Sequence, residues 1–460
     1  MKKFLSMLCI GIMAVLCLFT AACGDTGDTE DGEFLGLAEG EEFTTDSEVV
    51  LTFMRPIQND SQEEWWDEII ASFNEDYEGR IKVSVTTSTR GNSREYEQRI
   101  SVLAAAGELT DVLYLDGPFV SNYANAGVII PIDTYIYDGY TDDFMDYVNE
   151  QNTYNDRLYA LSIVDSTVVL FYNKTVLSEA EINVPDSIED AWTFDDMKQI
   201  AEELTEKVGS VTRYGLQIAG DAGEWLSYVF TPLWTDGVID DDGLITTGYL
   251  NGDAGVDAGV YLRSLVSDGA VYSGASSSDF SASTPTASMA LAGTQNISEY
   301  IALGDDMCDW GVTYYPVNES GAMAAPCGGW TLGITSDCSS SKRVAAAEFI
   351  KYLTSEESCE SCARATASPP SRTELYETME EYTDPDNEYY EIYSVIKEQI
   401  FAGAQLRPKT VGYEVFSTQM SNAIKDIIYG TNYTTESLIK TRLTTAATTI
   451  DASIAQIKIY

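Results

Sequence analysis

Two periodicities alternate along the first part of this chain's body. EVVLTFM (48–54) is a continuous apolar run of strand composition. SQEEWWDEIIASF follows and sets Trp66, Ile69, Ile70 and Phe73 at i, i+3, i+4 and i+7, one face of a helix. Ser61 and Glu64 have capping-box spacing at its start. RIKVSVT (80–86) alternates as a strand. EYEQRISVLAAAGEL is helical to a C-cap at Gly107, and DVLYLD (111–116) is a strand again. This order predicts a doubly wound α/β sheet, and ligands of such sheets lie beyond the carboxyl ends of the strands. Here those ends are Arg55 and Asp116.

A second α/β region opens at TVVLFYNKTVL (167–177). TFDDMKQIAEEL has Thr193 and Asp196 at capping spacing, with Met197, Ile200, Ala201 and Leu204 on one face. From 235 to 300 the chain is rich in Gly, Asp and Ser, with shorter helices. WGVTYYPV (310–317) and GGWTLGIT (328–335) read as strands around a turn, and KRVAAAEFIKYLTSEE as an amphipathic helix. The end is mainly helical. The body is long enough for two lobes with their own cores.

The start differs in kind. Lys2 and Lys3 precede an apolar run (4–19) that is short for a membrane span, and Ala21 and Ala22 are small residues of a cleavage site. Residues 1–22 therefore read as a secretory signal. TAAC resembles the lipobox of bacterial lipoproteins, in which the cysteine, here Cys23, becomes the first mature residue and carries lipid. Thr20 stands where leucine is most usual, and an ordinary signal with an incidental cysteine is the alternative. Residues 24–48 hold ten acids, five glycines and no base, so 23–46 reads as a disordered acidic tether. A lipid-anchored protein outside the cell, on the outer face of the membrane, is the expectation, held to the membrane by the anchor only.

Net charge is −48, which repels nucleic acid and anionic headgroups. The absence of histidine excludes Ser-His-Asp triads and histidine metal sites, and no metal site or cofactor is expected. Beyond the start, Cys308, Cys327, Cys338, Cys359 and Cys362 remain; five is odd, so at least one is free or pairs outside the chain. CESC at 359–362 trails a helix rather than opening one, which leaves a local disulfide or plain buried thiols.

Several phrases fall in a familiar order: ISVLAAAGELTDVLYLD, AGVIIPIDTYI, LFYNKTVLSEAEINVPDSIEDAWTFDDMKQIA, SMALAGTQNI and GGWTLGITSDCSSSKRVAAAEFIKYLTSEE. Together they resemble extracellular solute-binding proteins of family 1, the carbohydrate receptors of ABC importers, over nearly all of 47–460. The resemblance implies a type II periplasmic-binding-protein-like α/β fold: two lobes joined by crossing segments and closing on a sugar. Its landmarks put the crossings near 162–167, 314–317 and 363–372. The N-lobe would hold 47–163 and 318–363, and the C-lobe 168–313 and 373–460. It also implies a non-enzymatic monomer that delivers a carbohydrate to ABC transporter permease subunits. A secreted glycoside hydrolase and a surface adhesin are the rivals from other classes.

A sugar offers hydroxyls and an apolar C–H face, so its site needs carboxylates, guanidiniums and flat rings. Trp330 follows two glycines that let backbone or ligand come close. Asp116 and Arg55 end strands, Asp165 sits on the first crossing and Arg372 on the third. Trp225 and Trp234 lie where the family places C-lobe stacking rings. Tyr172 and Tyr413 are further candidates, although a core tyrosine is the commoner reading of each. Gln295 stands where the family often has tryptophan and implies a polar contact instead.

Overall fold

The computed structural model describes residues 34–91, 94–218, 224–271, 280 and 286–459. The expected signal segment and Cys23 lie outside them. Two five-stranded sheets organise the body. In the first, Val49–Pro56 is flanked in parallel by Ile81–Ser88 and Val112–Asp116, as the alternating pattern predicts. Trp330–Ile334, from far along the chain, runs antiparallel beside Val112–Asp116, with Ala160–Ser162 beyond it. The register sets Trp330 opposite Asp116.

Helix Asp60–Asp76 buries Trp65, Trp66 and Phe73. The Trp66 ring meets Phe53 at 5.4 Å and Tyr114 at 5.0 Å, which locks the helix onto the sheet. Its capping box is Asn59–Gln62 rather than Ser61–Glu64. Asn caps as well as Ser, and the earlier start lets Glu63 reach back to Arg55 and to the Gln58 amide. Gly107 does end helix Glu95–Ala106, at φ 67.

The second sheet runs Trp310–Thr313, Val168–Asn173, Ala287–Gly293, Val211–Ile218, Glu206–Val208, with only the pair Ala287–Gly293 and Val211–Ile218 parallel. The Thr193–Asp196 capping box forms as its spacing predicts. Helices Asp253–Ser267, Tyr413–Tyr429 and Glu436–Ile454 pack together through Leu262, Ile427 and Leu443, all buried.

Residues 163–167 pass from one sheet to the other. Trp310–Thr313 and Trp330–Ile334 also belong to different sheets, not to one hairpin. The passage between them comes later than 314–317. Val317 still pairs with Thr193, and Ala325–Cys327 with Ala404–Leu406, so the change of sheet falls at Gly328 and Gly329. Near the third passage, Val164 pairs with Pro370 and the Asp165 amide donates to the Pro369 carbonyl. Buried Gln399 ties the first passage to the segment after Trp310–Thr313: it donates to the Thr167 hydroxyl and accepts from the Tyr315 amide at 2.6 Å.

The acidic leader is not free along its whole expected length. The Leu35 amide donates to the Thr134 carbonyl at 2.7 Å, Leu37 packs against the body and Phe43 is buried. Two apolar side chains and this backbone bond hold 35–46 down although acids dominate the composition. Cys308, Cys327, Cys338, Cys359 and Cys362 are free thiols, and all but Cys308 are buried. No helix among the described residues is long and apolar enough to cross a membrane.

Candidate functional site

A cavity of about 380 Å3 lies where the sheets and passages meet. The first sheet supplies Asp116 and Trp330 as ladder partners, while Gln58 and Arg90 come from the loops beyond the two other parallel strands. The passages supply Asp165, Ser166 and the two glycines. Glu224, Trp225 and Tyr228 enter with helix Trp225–Phe230, Gln295 from beyond strand Ala287–Gly293, and Arg407 from beyond Ala404–Leu406. Of the residues expected from sequence, the structure thus brings together Asp116, Asp165, Trp225, Gln295 and Trp330.

The two glycines serve the backbone. A Cβ on Gly329 would come 2.8 Å from the Asp165 Cα and the Val164 carbonyl, and Gly328 adopts φ 131. They let the second passage lie directly on the first, which is how Trp330 and Asp165 reach one cavity.

An ion network spans the cleft. Arg407 Nη2 donates to Asp116 Oδ1 at 2.6 Å, and its Nη1 donates to Glu224 Oε1 at 2.5 Å. Arg90 donates to Asp116 Oδ2 at 2.8 Å and to Glu97 at 2.9 Å, and lies 3.6 Å from Glu224. Arg94, at φ 58, reaches Glu224 at 2.9 Å and the Ser417 hydroxyl at 2.6 Å. Burial alone raises Asp116, but the charges of Arg407 and Arg90 outweigh it and hold the carboxyl well below its ordinary range. Burial, and then the neighbouring Asp116 charge, raise Glu224 to about 7 against the pull of the arginines. Asp165 is pushed up to about 6 by burial, opposed by the Ser166 amide. Its Oδ2 has no hydrogen-bond partner.

Aromatic rings frame this charge. Trp330 is half-buried, packs on Tyr114 at 5.5 Å and Tyr96 at 5.9 Å, and carries the Arg90 guanidinium 4.8 Å above its ring. Trp225 meets Tyr228 edge-on at 5.5 Å, and its Nε1–H is buried without an acceptor. The Tyr228 hydroxyl is fixed on the Ser166 and Pro326 carbonyls, and Arg407 lies 4.9 Å over its ring. Indoles, carboxylates and guanidiniums in one cleft can hold a polyhydroxylated molecule. Among the described residues no His, Cys, Asp or Glu cluster is placed to hold a metal ion.

The other expected residues stand outside this cavity. Arg55 is spent on Glu63, at 2.6 and 2.9 Å, under the first helix. Trp234 is core, its Nε1 donating to the Leu250 carbonyl at 3.0 Å. Arg372 donates to the Thr354 carbonyl and lies 4.4 Å over Phe144. Tyr413 is buried against Phe119. Tyr172 lines a separate open hollow with Lys174 and Trp192. Sequence reasoning missed Arg90, Arg94, Glu224, Tyr228 and Arg407. The strand-end rule, applied to the strand ending at Ser88 as well, points at Arg90; the other four carry no local signal.

Residues 68–388 match the bacterial extracellular solute-binding protein family, and the chain belongs to it. A maltotriose-binding protein of Pyrococcus abyssi (strain GE5 / Orsay) is 30% identical over 109 residues, 24% of this chain and 22% of that one. An arabinooligosaccharide-binding protein of Bacillus subtilis (strain 168) is 25% identical over 213 residues, 46% of each chain. The matched stretches thus span under half of these relatives. The GacH receptor of Streptomyces glaucescens GLA.O, solved unliganded and with acarbose, superposes with a TM-score of 0.71 at 21% identity, over 90% of this chain and 100% of that one. The fold is the two-lobed, type II periplasmic-binding-protein-like one.

Proposed function

We propose that this protein is a lipid-anchored extracellular receptor that captures an oligosaccharide between its lobes and hands it to an ABC importer in the same membrane. One observation carries the reading: Trp330, on a strand of the first sheet, and Trp225, on helix Trp225–Phe230, meet in one cavity in which Asp165 Oδ2 and Trp225 Nε1 have no partner. Rings stack on the C–H faces of a sugar, and unpartnered polar atoms take its hydroxyls. The ligand residues proposed are Asp116, Asp165, Trp225, Gln295 and Trp330, joined by Arg94, Glu224, Tyr228 and Arg407. The names of the relatives, which include binders of maltotriose and arabinooligosaccharides, agree with this ligand class. Binding stabilises the arrangement in which both lobes touch the sugar, and the importer then reopens it.

The test is a thermal-shift and calorimetric screen of the protein against mono- and oligosaccharides. A true ligand at 100 times its dissociation constant adds about 2.7 kcal/mol of stability. A panel in which no saccharide shifts the melting temperature overturns the reading.

A further inference from the structure

We infer that the saccharide taken by this cleft carries a protonated amine, and that Arg90 occupies the place of that amine over Trp330. The inference deepens the carbohydrate reading and rests on it.

Three guanidiniums face the cavity, and they are not equivalent. The side chains of Arg94 and Arg407 are only 10% and 8% exposed, and each holds a residue of the opposite lobe. Arg90 is 31% exposed and stands on the loop beyond strand Ile81–Ser88. It is therefore the removable cation. Its present seat is the Trp330 ring, 4.8 Å below, with Asp116 and Glu97 at 2.8 and 2.9 Å and Glu224 at 3.6 Å. Tyr114 and Tyr96 already pack against the same indole. A sugar ring that stacks on Trp330 must move Arg90 aside.

Once Arg90 leaves, Arg94 and Arg407 face Asp116, Glu224, Glu97 and Asp165. Four carboxylates already face three guanidiniums with Arg90 in place, its departure leaves two, and a buried charge without a partner is costly. A neutral ring brings hydroxyl donors but no charge. An ammonium on the sugar returns the third cation, makes charge-assisted hydrogen bonds to Asp116 and Glu97, and keeps a positive charge over the indole face. Asp165 adds an independent sign of the same preference. It is 3% exposed, lines the cavity and carries an oxygen with no partner. Uronates and sulfated sugars meet the opposite situation, before a cavity of excess carboxylate on a chain of net charge −48.

The experiment is calorimetric binding of oligosaccharides in matched forms, with a hydroxyl, an N-acetyl group or a free amine at one ring carbon, across several linkages, to the wild type and to Arg90→Ala. The expected result is that the tightest ligand is an amino form, about tenfold or more above its neutral match. Arg90→Ala, which removes the competitor, is expected to bind that form still more tightly. If the variant melts early, Arg90→Gln replaces it. A neutral or anionic best ligand overturns the amine inference and leaves the carbohydrate reading standing. A loss of affinity in Arg90→Ala overturns it too, by making Arg90 a contact that stays. No binding by any form overturns both readings.

Discussion

Replacing Asp165 by Asn should make the protein more stable at neutral pH and leave its stability unchanged near pH 4. The reason is the position of this carboxyl. It sits on the first passage between the lobes, 3% exposed, with one oxygen on the Ser166 amide at 2.7 Å and the other unpartnered. Burial lifts it from 3.8 to about 6. Between those values the folded chain holds a proton that the unfolded chain has released, so stability falls as pH rises through that window and is flat above it. A shift of roughly two units corresponds to about 3 kcal/mol at pH 7. Asparagine keeps an oxygen for the Ser166 amide and cannot ionise, so it avoids that penalty. Urea melts of both proteins at steps from pH 4 to 7.5 measure the difference directly, and Glu224 titrates in both and cancels. The expected curve starts near zero, rises to about 3 kcal/mol and levels off above pH 6. A flat difference, or a variant less stable than the wild type at pH 7, refutes the argument by showing that the buried oxygen is satisfied.

Arg407→Met takes from Asp116 and Glu224 the cation they share, leaving Arg90 and Arg94 as their partners, and should cost up to about 3 kcal/mol in urea melts; adding Asp116→Asn should recover part of it, and strictly additive effects would show that the pair is not coupled. Trp330→Ala should lose more than tenfold in saccharide affinity by calorimetry, whereas a variant that melts far lower yet binds normally makes this indole a core residue. Cys23→Ala should appear in the soluble fraction or remain unprocessed, and a membrane-bound variant of normal gel mobility excludes the anchor.

The first sheet was legible because its three parallel strands and two helices follow one another in sequence with clean periodicity. The pairing of Trp330 with Asp116 was legible only as two separate strand-end residues, since nothing local tells a strand at 330 that its partner lies at 112–116. Arg55, Trp234, Arg372 and Tyr413 show the limit of residue-type reasoning. A guanidinium or an indole is as useful in packing as in binding, and each of these four found a carboxylate, a carbonyl or a ring outside the cavity first. Arg407 shows the converse. It sits in an unremarkable QLRPK segment, and its role comes from the crossing of chain segments that sets Asp116 on one side and Glu224 on the other.

That crossing also bears on how the cleft works. Asp116 belongs to the first sheet, Glu224 opens a helix of the second lobe, and Arg407 bonds both at once. Desolvated ion pairs contribute little net stability because the loss of hydration nearly offsets the attraction, but they fix geometry, since a displaced partner leaves a bare charge. The network therefore sets the register of one lobe against the other more than it holds them together. Free energy for closure must then come from groups the network leaves unsatisfied, namely the Trp225 indole, its N–H and the Asp165 oxygen, and from the Trp330 face once Arg90 has left it. A ligand that meets all four gains most of its affinity in the closed arrangement and little in any other. That difference is what shifts the population of a two-lobed receptor.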